Sequence, residues 1–265
     1  MITLTAGSVV VQVNPAIGGR LTSLRVQGHE LLVAPTADPL LSGCYPMVPF
    51  AGRVRDGRFE WGGDVHQLRR NHASHAMHGT GFDRAWLVEQ SGPDHLHLRV
   101  DLQPHWPFAG WANQHISLTA DRLDLRLEVH TDGPSFPATA GWHPWFRRSL
   151  ATGGDLVVAM DATGWYPRDD QGLPLGPVAP PPPAGPWDDC FTGLTWPATL
   201  TWPGALVVSI TSTGDHLVLY DHPAHAICVE PQTGPPDALN HPGWPQIVHP
   251  TQPLITQMGL AWSPP

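Results

Sequence analysis

The chain has 265 residues, a net charge of −9 and only 14% charged residues, whereas proline (31 residues) and glycine (27) are abundant. Both residues interrupt helices and favour turns, so the composition predicts short strands joined by loops, in one domain covering residues 1–265. All 14 basic residues are arginine. The lack of lysine excludes a lysine Schiff base and a phosphate-binding P-loop, and the lack of a basic stripe argues against a nucleic-acid partner.

The cysteines and the N-terminus bear on the cellular compartment. Cys44, Cys190 and Cys228 are too few and too scattered for a disulfide framework or a zinc ribbon. The first residues lack the basic and apolar segments of a signal peptide, and no apolar run approaches the ~20 residues of a membrane span. We therefore expect a cytoplasmic protein without a membrane partner, as a monomer or a homodimer.

Alternating apolar and polar residues predict antiparallel strands, each with one buried side and one solvent-facing side. Gly62-Gly63 predicts the turn of a β-hairpin. The segment 172–186, which contains four consecutive prolines, is expected to be a surface excursion, because the strand pattern resumes after it. The expected strands of this all-β fold are residues 2–13 (two strands, broken near Ala6-Gly7), 20–26, 29–33, 57–61, 64–68, 85–90, 95–102, 114–120, 123–130, 155–160, 199–202, 205–211, 216–220, 225–229 and 254–262.

The stretch Gly141-Trp142-His143-Pro144-Trp145-Phe146 places one titratable group among aromatic rings. Imidazole has the side-chain pKa closest to neutrality, and flat aromatic faces stack well on the C–H face of a sugar ring. A proton donor beside aromatic walls suits ring-opening chemistry on a carbohydrate. The alternative is that His143 is a buried core histidine at the end of an aromatic strand.

Two groups of histidines invite a metal interpretation. His72, His75 and His78 recur every three residues, but glycines follow at once and no glutamate lies inside the group to act as a base. We expect that only one of these histidines, His78, faces a ligand. The next residue, Gly79, has no side chain and so lets another backbone segment or a ligand approach closely. The second group is a weak ligand set, so no metal or cofactor is expected. Its members are Asp221, His222 and His225.

Charged residues at three further positions suit sugar binding or catalysis. Arg53 begins an arginine cluster. The cluster is either a solvated surface, or one of its planar guanidinium groups donates to vicinal hydroxyls of a sugar. Asp188 and Asp189 lie among aromatic residues, as hydroxyl acceptors or as an ordinary polar turn. Glu230 ends an apolar strand, where partial burial would raise its pKa and make it a stronger base.

Five segments, in this order, resemble motifs of the aldose 1-epimerase (mutarotase) family, and the resemblance extends over residues 5–262. The order and spacing of the segments make the match more specific than any single motif. The segments are Gly52-Arg53-Val54-Arg55-Asp56-Gly57-Arg58-Phe59, Met77-His78-Gly79, Gly141-Trp142-His143-Pro144-Trp145-Phe146, Asp188-Asp189-Cys190-Phe191, and Val229-Glu230-Pro231-Gln232-Thr233 with Pro236-Asp237-Ala238-Leu239-Asn240.

The resemblance implies a large antiparallel β-sandwich of the galactose mutarotase-like type, with a sugar in an open groove. It implies that His143 is the general acid and Glu230 the general base. Asp188 is preferred to Asp189 because of its spacing from Phe191. The expected substrate-binding residues are Arg53, His78, Asp188, Trp142 and Gln232. Mutarotation needs no metal; it needs Glu230 as a carboxylate and His143 as an imidazolium, which a negative neighbour would help to keep protonated.

The chain departs from galactose-specific mutarotases, which have Asn at the position of Gly52 and an Asn-His pair in place of Trp142-His143. The departures indicate a divergent microbial branch and leave the preferred free aldohexose open. Three other functions remain: a hexose-6-phosphate 1-epimerase, a non-catalytic carbohydrate-binding protein and a metal-dependent cupin-like enzyme. A phosphate pocket would draw on Arg53, Arg55 and Arg58, or on Arg147 and Arg148.

Overall fold

The computed structural model describes residues 1–175 and 185–263, whose regular secondary structure is almost entirely β-strand. Residues 176–184 of the expected proline-rich excursion lie outside the described residues. No helix in the described part of the chain is long and apolar enough to cross a membrane. Within the described residues, three single turns of 3₁₀ helix are present, at Pro39–Leu41, Arg55–Gly57 and Ala238–Asn240. The strands are β1 (Ile2–Ala6), β2 (Val9–Asn14), β3 (Arg20–Val26), β4 (His29–Glu30), β5 (Cys44–Met47), β6 (Arg53–Val54), β7 (Arg58–Trp61), β8 (Asp64–Gln67), β9 (Ala76–Met77), β10 (Leu87–Ser91), β11 (His95–Asp101), β12 (Trp111–Leu118), β13 (Arg122–His130), β14 (Phe136–Ala138), β15 (Gly141–Arg147), β16 (Val157–Tyr166), β17 (Asp188–Trp202), β18 (Leu206–Ser212), β19 (His216–Tyr220), β20 (Ala226–Gln232), β21 (Gln246–Val248) and β22 (Leu254–Trp262).

Most strands belong to one large antiparallel sheet, which has sixteen strands within the described residues. Its central strands β15, β20, β19 and β17 are neighbours, so segments far apart in the chain meet there. Strands β4 and β16 pair with β3 and β17 beside the main path, and the pairs β14–β21, β6–β9 and β7–β8 form three small sheets. The order along the main path is β1-β2-β3-β5-β15-β20-β19-β17-β18-β22-β13-β12-β11-β10.

The sheet curls until its two ends pack against each other. The Thr5 amide of β1 donates to the Pro93 carbonyl, between β10 and β11, at 2.7 Å. The Gln114 side chain of β12 donates to the Gly19 carbonyl, just before β3, at 2.7 Å. Large apolar side chains, among them Trp106 and Trp202, fill the space enclosed between the two halves. The predicted all-β antiparallel fold is therefore confirmed.

Alternation predicted the outer strands well. In β13 every second residue is buried, as in the pattern of a strand with one wet face. Strands β3 and β22 have the predicted bounds, and the hairpin β7–β8 forms around Gly62-Gly63. The central strands differ: β15 and β20 are buried along almost their whole length, and β17 already begins at Asp188. The interpretation of Asp188-Asp189 as a polar turn is wrong.

Candidate active site

The site is built on β15 and β20, which are adjacent and antiparallel. Gly141 lies opposite Gln232 and Trp145 opposite Cys228, a register that brings His143 across from Glu230. A Cβ on Gly141 would clash with the Pro231 carbonyl, so glycine permits this close pairing. The Nε2 atom of His143 lies 3.1 Å from Oε1 of Glu230, within the distance at which a proton can pass between them.

Both side chains line a cavity of about 270 Å³, a volume suited to a small ligand. The cavity unites residues from strands that are distant in sequence. Five of the seven predicted site residues line it: Arg53, His78, His143, Asp188 and Glu230. The remaining lining residues are Asp38, Leu40, Leu41, Tyr45, Gly52, His72, Met77, Trp145, Val218 and Tyr220.

Two aromatic rings stack on the imidazole of His143. Tyr45 stacks on it at 4.9 Å between ring centroids, with 25° between the planes, and Trp145 stacks on it at 5.4 Å and 11°. The Tyr45 hydroxyl and the Trp145 indole both donate to the Leu40 carbonyl, at 3.2 and 2.9 Å. These contacts restrict the plane of the His143 ring.

His78 enters the cavity from a strained loop position. It has a φ of 57°, and its amide donates to the Gly52 carbonyl at 2.9 Å. Its ring meets that of His143 edge to face at 4.8 Å. Both ring nitrogens of His78 are buried without a hydrogen-bond partner, as is Nδ1 of His143. Unpaired buried polar atoms lower the stability of a fold. These nitrogens are therefore available to form hydrogen bonds with a polar ligand.

The three histidines predicted as a possible metal group do not converge. His75 turns away and its Nδ1 accepts from the Asp56 amide at 3.1 Å, whereas His72 is exposed at the cavity rim. The neighbour Gly79 has a φ of 80°, and a Cβ there would clash with the Val48 backbone. Glycine after His78 is therefore required by the close backbone approach, as the sequence indicated.

Asp188 reaches the cavity, and Arg168 fixes it there. One guanidinium nitrogen of Arg168 donates to Asp188 at 3.0 Å and another donates to Asp189 at 2.9 Å. Arg53 lies 3.9 Å from the same Asp188 oxygen. Asp189 does not line the cavity, which agrees with the preference for Asp188. Sequence analysis missed Arg168, because it lies in the loop after β16 and carries no periodic signal.

Two predicted substrate-binding residues lie outside the cavity. Trp142 is fully buried on the opposite face of β15, and its indole donates to Gln114 Oε1 at 3.0 Å. The prediction that Trp142 contacts the substrate is therefore wrong; the tryptophan of this stretch that lines the cavity is Trp145. Gln232 is also fully buried; its amide nitrogen lies 3.9 Å from Cys190 Sγ and it does not line the cavity. The prediction that Gln232 contacts the substrate directly is therefore also wrong.

Burial opposes charge on both members of the central pair. It lowers the pKa of His143 to about 3. It also raises the pKa of Glu230 well above the usual range for a carboxyl group, and the nearby negative charge of Asp188 adds to this rise. Burial of the two groups therefore favours a neutral carboxyl beside a neutral imidazole. This arrangement differs from the expected carboxylate and imidazolium, because the two groups are shielded from water.

Comparison with known proteins assigns the chain to a family. A model of the aldose 1-epimerase family matches residues 1–256. The chain belongs to the aldose 1-epimerase family. Within the curated proteins, 138 residues of this family member are 33% identical to the uncharacterized protein YphB of Escherichia coli K12. That alignment spans half of the chain and 45% of YphB.

Solved structures share the fold of this family member along nearly its whole length. A putative aldose 1-epimerase from Escherichia coli K12 is 24% identical, with a TM-score of 0.88 over 98% of both chains. A galactose mutarotase-like protein from Clostridium acetobutylicum is 16% identical, with a TM-score of 0.86 over 98% of this chain and 94% of its own. A galactose 1-epimerase from Lactobacillus acidophilus is 19% identical, with a TM-score of 0.78 over 98% and 93%.

Proposed function

We propose that the protein interconverts the α and β anomers of a free aldohexose by opening and closing the pyranose ring. The observation that carries the proposal is the 3.1 Å approach of His143 and Glu230 at the wall of a monosaccharide-sized cavity. Mutarotation requires one group that removes the proton of the anomeric hydroxyl and one that protonates the ring oxygen. Family membership supports the same reaction.

The proton balance of the pair fits this reaction. The pair can exist as a carboxylate with an imidazolium or as a carboxyl group with a neutral imidazole. Both states contain the same number of protons and differ only in which group carries one of them. During ring opening Glu230 takes the proton from O1 and His143 gives one to O5, which turns the charged pair into the neutral pair. Rotation about C1–C2 and closure on the other aldehyde face reverse both transfers. Because burial favours the neutral pair, the site stabilises the state that accompanies the open-chain aldehyde.

Stacking by Tyr45 and Trp145 offsets part of the cost of the charged pair. Both rings present their electron-rich faces to His143. A cation over such a face is stabilised by about 0.5–2 kcal/mol, so the imidazolium that donates to O5 is accessible within the cavity. The unpaired nitrogens of His78 are positioned to bond sugar hydroxyls.

The charges in and near the cavity favour a free sugar over a phosphorylated one. Arg53 is the one arginine among its described lining residues, and it faces Asp188. Of the other four candidate phosphate ligands, Arg58 does not line the cavity, and the remaining three are engaged elsewhere. Arg55 donates to Asp169 at 2.9 Å, and Arg147 and Arg148 donate to backbone carbonyls. A phosphate would meet the negative charges of Asp38 and Asp188 without an unpaired guanidinium to offset them.

Optical rotation tests the proposal directly. Freshly dissolved α-glucose and α-galactose are expected to equilibrate faster with the protein than in buffer. The protein should accelerate the equilibration of glucose 6-phosphate much less. The double variant His143→Asn/Glu230→Gln, shown to be folded by circular dichroism, should give the buffer rate for every sugar. Parent-like relaxation by that variant would disprove the acid–base assignment. Preferential acceleration of the phosphorylated sugar would favour the hexose-6-phosphate epimerase instead.

Replacement of Arg168 is expected to weaken sugar binding through Asp188. Arg168→Gln removes both donors that hold Asp188 and Asp189, so KM should rise about 3–10-fold while kcat stays within about two-fold. The matched control is Arg55→Gln, which breaks the bond to Asp169 outside the cavity and should leave both constants near those of the parent. A fall in kcat at unchanged KM would contradict this positioning role.

A further inference from the structure

Three potential metal ligands converge at the bottom of the cavity. His78, His143 and Glu230 each offer one donor atom, and these atoms all lie within 4.8 Å of one another. Each residue is no more than 4% exposed. The His78 nitrogens and Nδ1 of His143 have no hydrogen-bond partner. Two imidazoles and one carboxylate are a ligand set that binds Zn²⁺ and related divalent transition metals in proteins.

We propose that His78, His143 and Glu230 bind one divalent transition-metal ion, for which Zn²⁺ is the probe, and that this ion competes with the sugar for the cavity. The inference rests on the proposed function only for the competition, since metal binding itself is independent of catalysis. A bound ion would occupy the lone pairs of Glu230 and His143 that must take up protons during the reaction. The metal is therefore an inhibitor of the acid–base pair.

The geometry requires small adjustments. Zn²⁺ bonds nitrogen and oxygen at about 2.0–2.2 Å, so two ligands in a tetrahedral site lie about 3.4 Å apart. His143 and Glu230 are already at 3.1 Å. His143 is held by Tyr45 and Trp145, so the His78 ring must move to bring its nitrogen closer to the other two ligand atoms. The fourth coordination position faces the cavity, where water or a sugar hydroxyl would complete the site.

Calorimetric titration of the purified full chain with ZnCl₂ tests the proposal. We expect one site per chain and weaker binding when sugar is present. His78→Asn should weaken Zn²⁺ binding at least about 10-fold. Asparagine tolerates the positive φ of this position, which preserves the fold. Glu230→Gln is the second variant and should also lower the affinity for Zn²⁺.

The matched control is His115→Asn. His115 stacks on His97 at 4.0 Å on the half-exposed face of β11 and β12, where adventitious metal would bind, and its replacement should leave the high-affinity site intact. Equal affinity in the parent and His78→Asn, loss of affinity in His115→Asn, or no binding at millimolar Zn²⁺ would each overturn the proposal. A chain that binds Zn²⁺ but fails to mutarotate refutes only the proposed reaction; an active chain without Zn²⁺ binding refutes only the metal site.

Discussion

Glu230→Gln is expected to lower kcat for mutarotation by about 10²–10⁴-fold while KM changes only a few-fold. The amide has the shape of the carboxyl group but cannot take the O1 proton, so ring opening loses its base. Glu230 is almost fully buried in the wall of the cavity and faces His143 at 3.1 Å, so water cannot easily replace it. The loss should therefore appear in turnover rather than in binding.

Initial rates of optical rotation over a range of α-aldohexose concentrations give kcat and KM separately. Sugar affinity should also be measured by calorimetry, because KM equals the dissociation constant only when chemistry is slow. Glu60→Gln makes the same chemical change on the exposed side of β7 and should have parent kinetics. If Glu230→Gln retained more than about a tenth of the parent kcat, Glu230 would not be the base.

The outer strands were predictable because their environment is simple. A strand with one wet face must alternate, and β13 does so along its whole length. The central strands have no such signal, since β15 and β20 are covered on both faces and tolerate apolar residues everywhere. Their local sequence singled out His143 and Glu230, and the family resemblance supplied their roles. The chain connectivity alone gives no reason why His143 should face Glu230.

The error at Trp142 follows from the period of a strand. Adjacent residues in a strand point to opposite faces, so His143 shares its face with Trp145 and not with Trp142. Treating the aromatic stretch as a strand would have selected Trp145 from the sequence. The protonation of the pair was beyond the sequence, because it depends on how completely the curled sheet shields both groups. Arg168 was equally hidden, because a loop arginine acquires its role only through the partners that folding brings to it.

Trp142→Ala is expected to lower the free energy of unfolding by about 3–5 kcal/mol, a large part of the ~5–15 kcal/mol that stabilises a typical domain. Trp142 is fully buried among core residues and donates its indole hydrogen to Gln114. Gln114 in turn donates to the Gly19 carbonyl, so this chain of bonds joins β15, β12 and the segment before β3. The alanine variant would create a cavity and leave the Gln114 carbonyl oxygen without its partner.

Urea unfolding followed by circular dichroism measures the loss, as a lower midpoint at an unchanged denaturant slope. Trp142→Phe separates the two roles that a tryptophan can have here. It retains most of the buried volume, so the loss should be about 1–3 kcal/mol and the folded variant should keep the parent KM. Trp145→Phe changes the ring that stacks on His143 inside the cavity and should alter the kinetics instead. A raised KM in Trp142→Phe would indicate that Trp142 contacts the sugar, and would contradict the packing seen between β15 and β12.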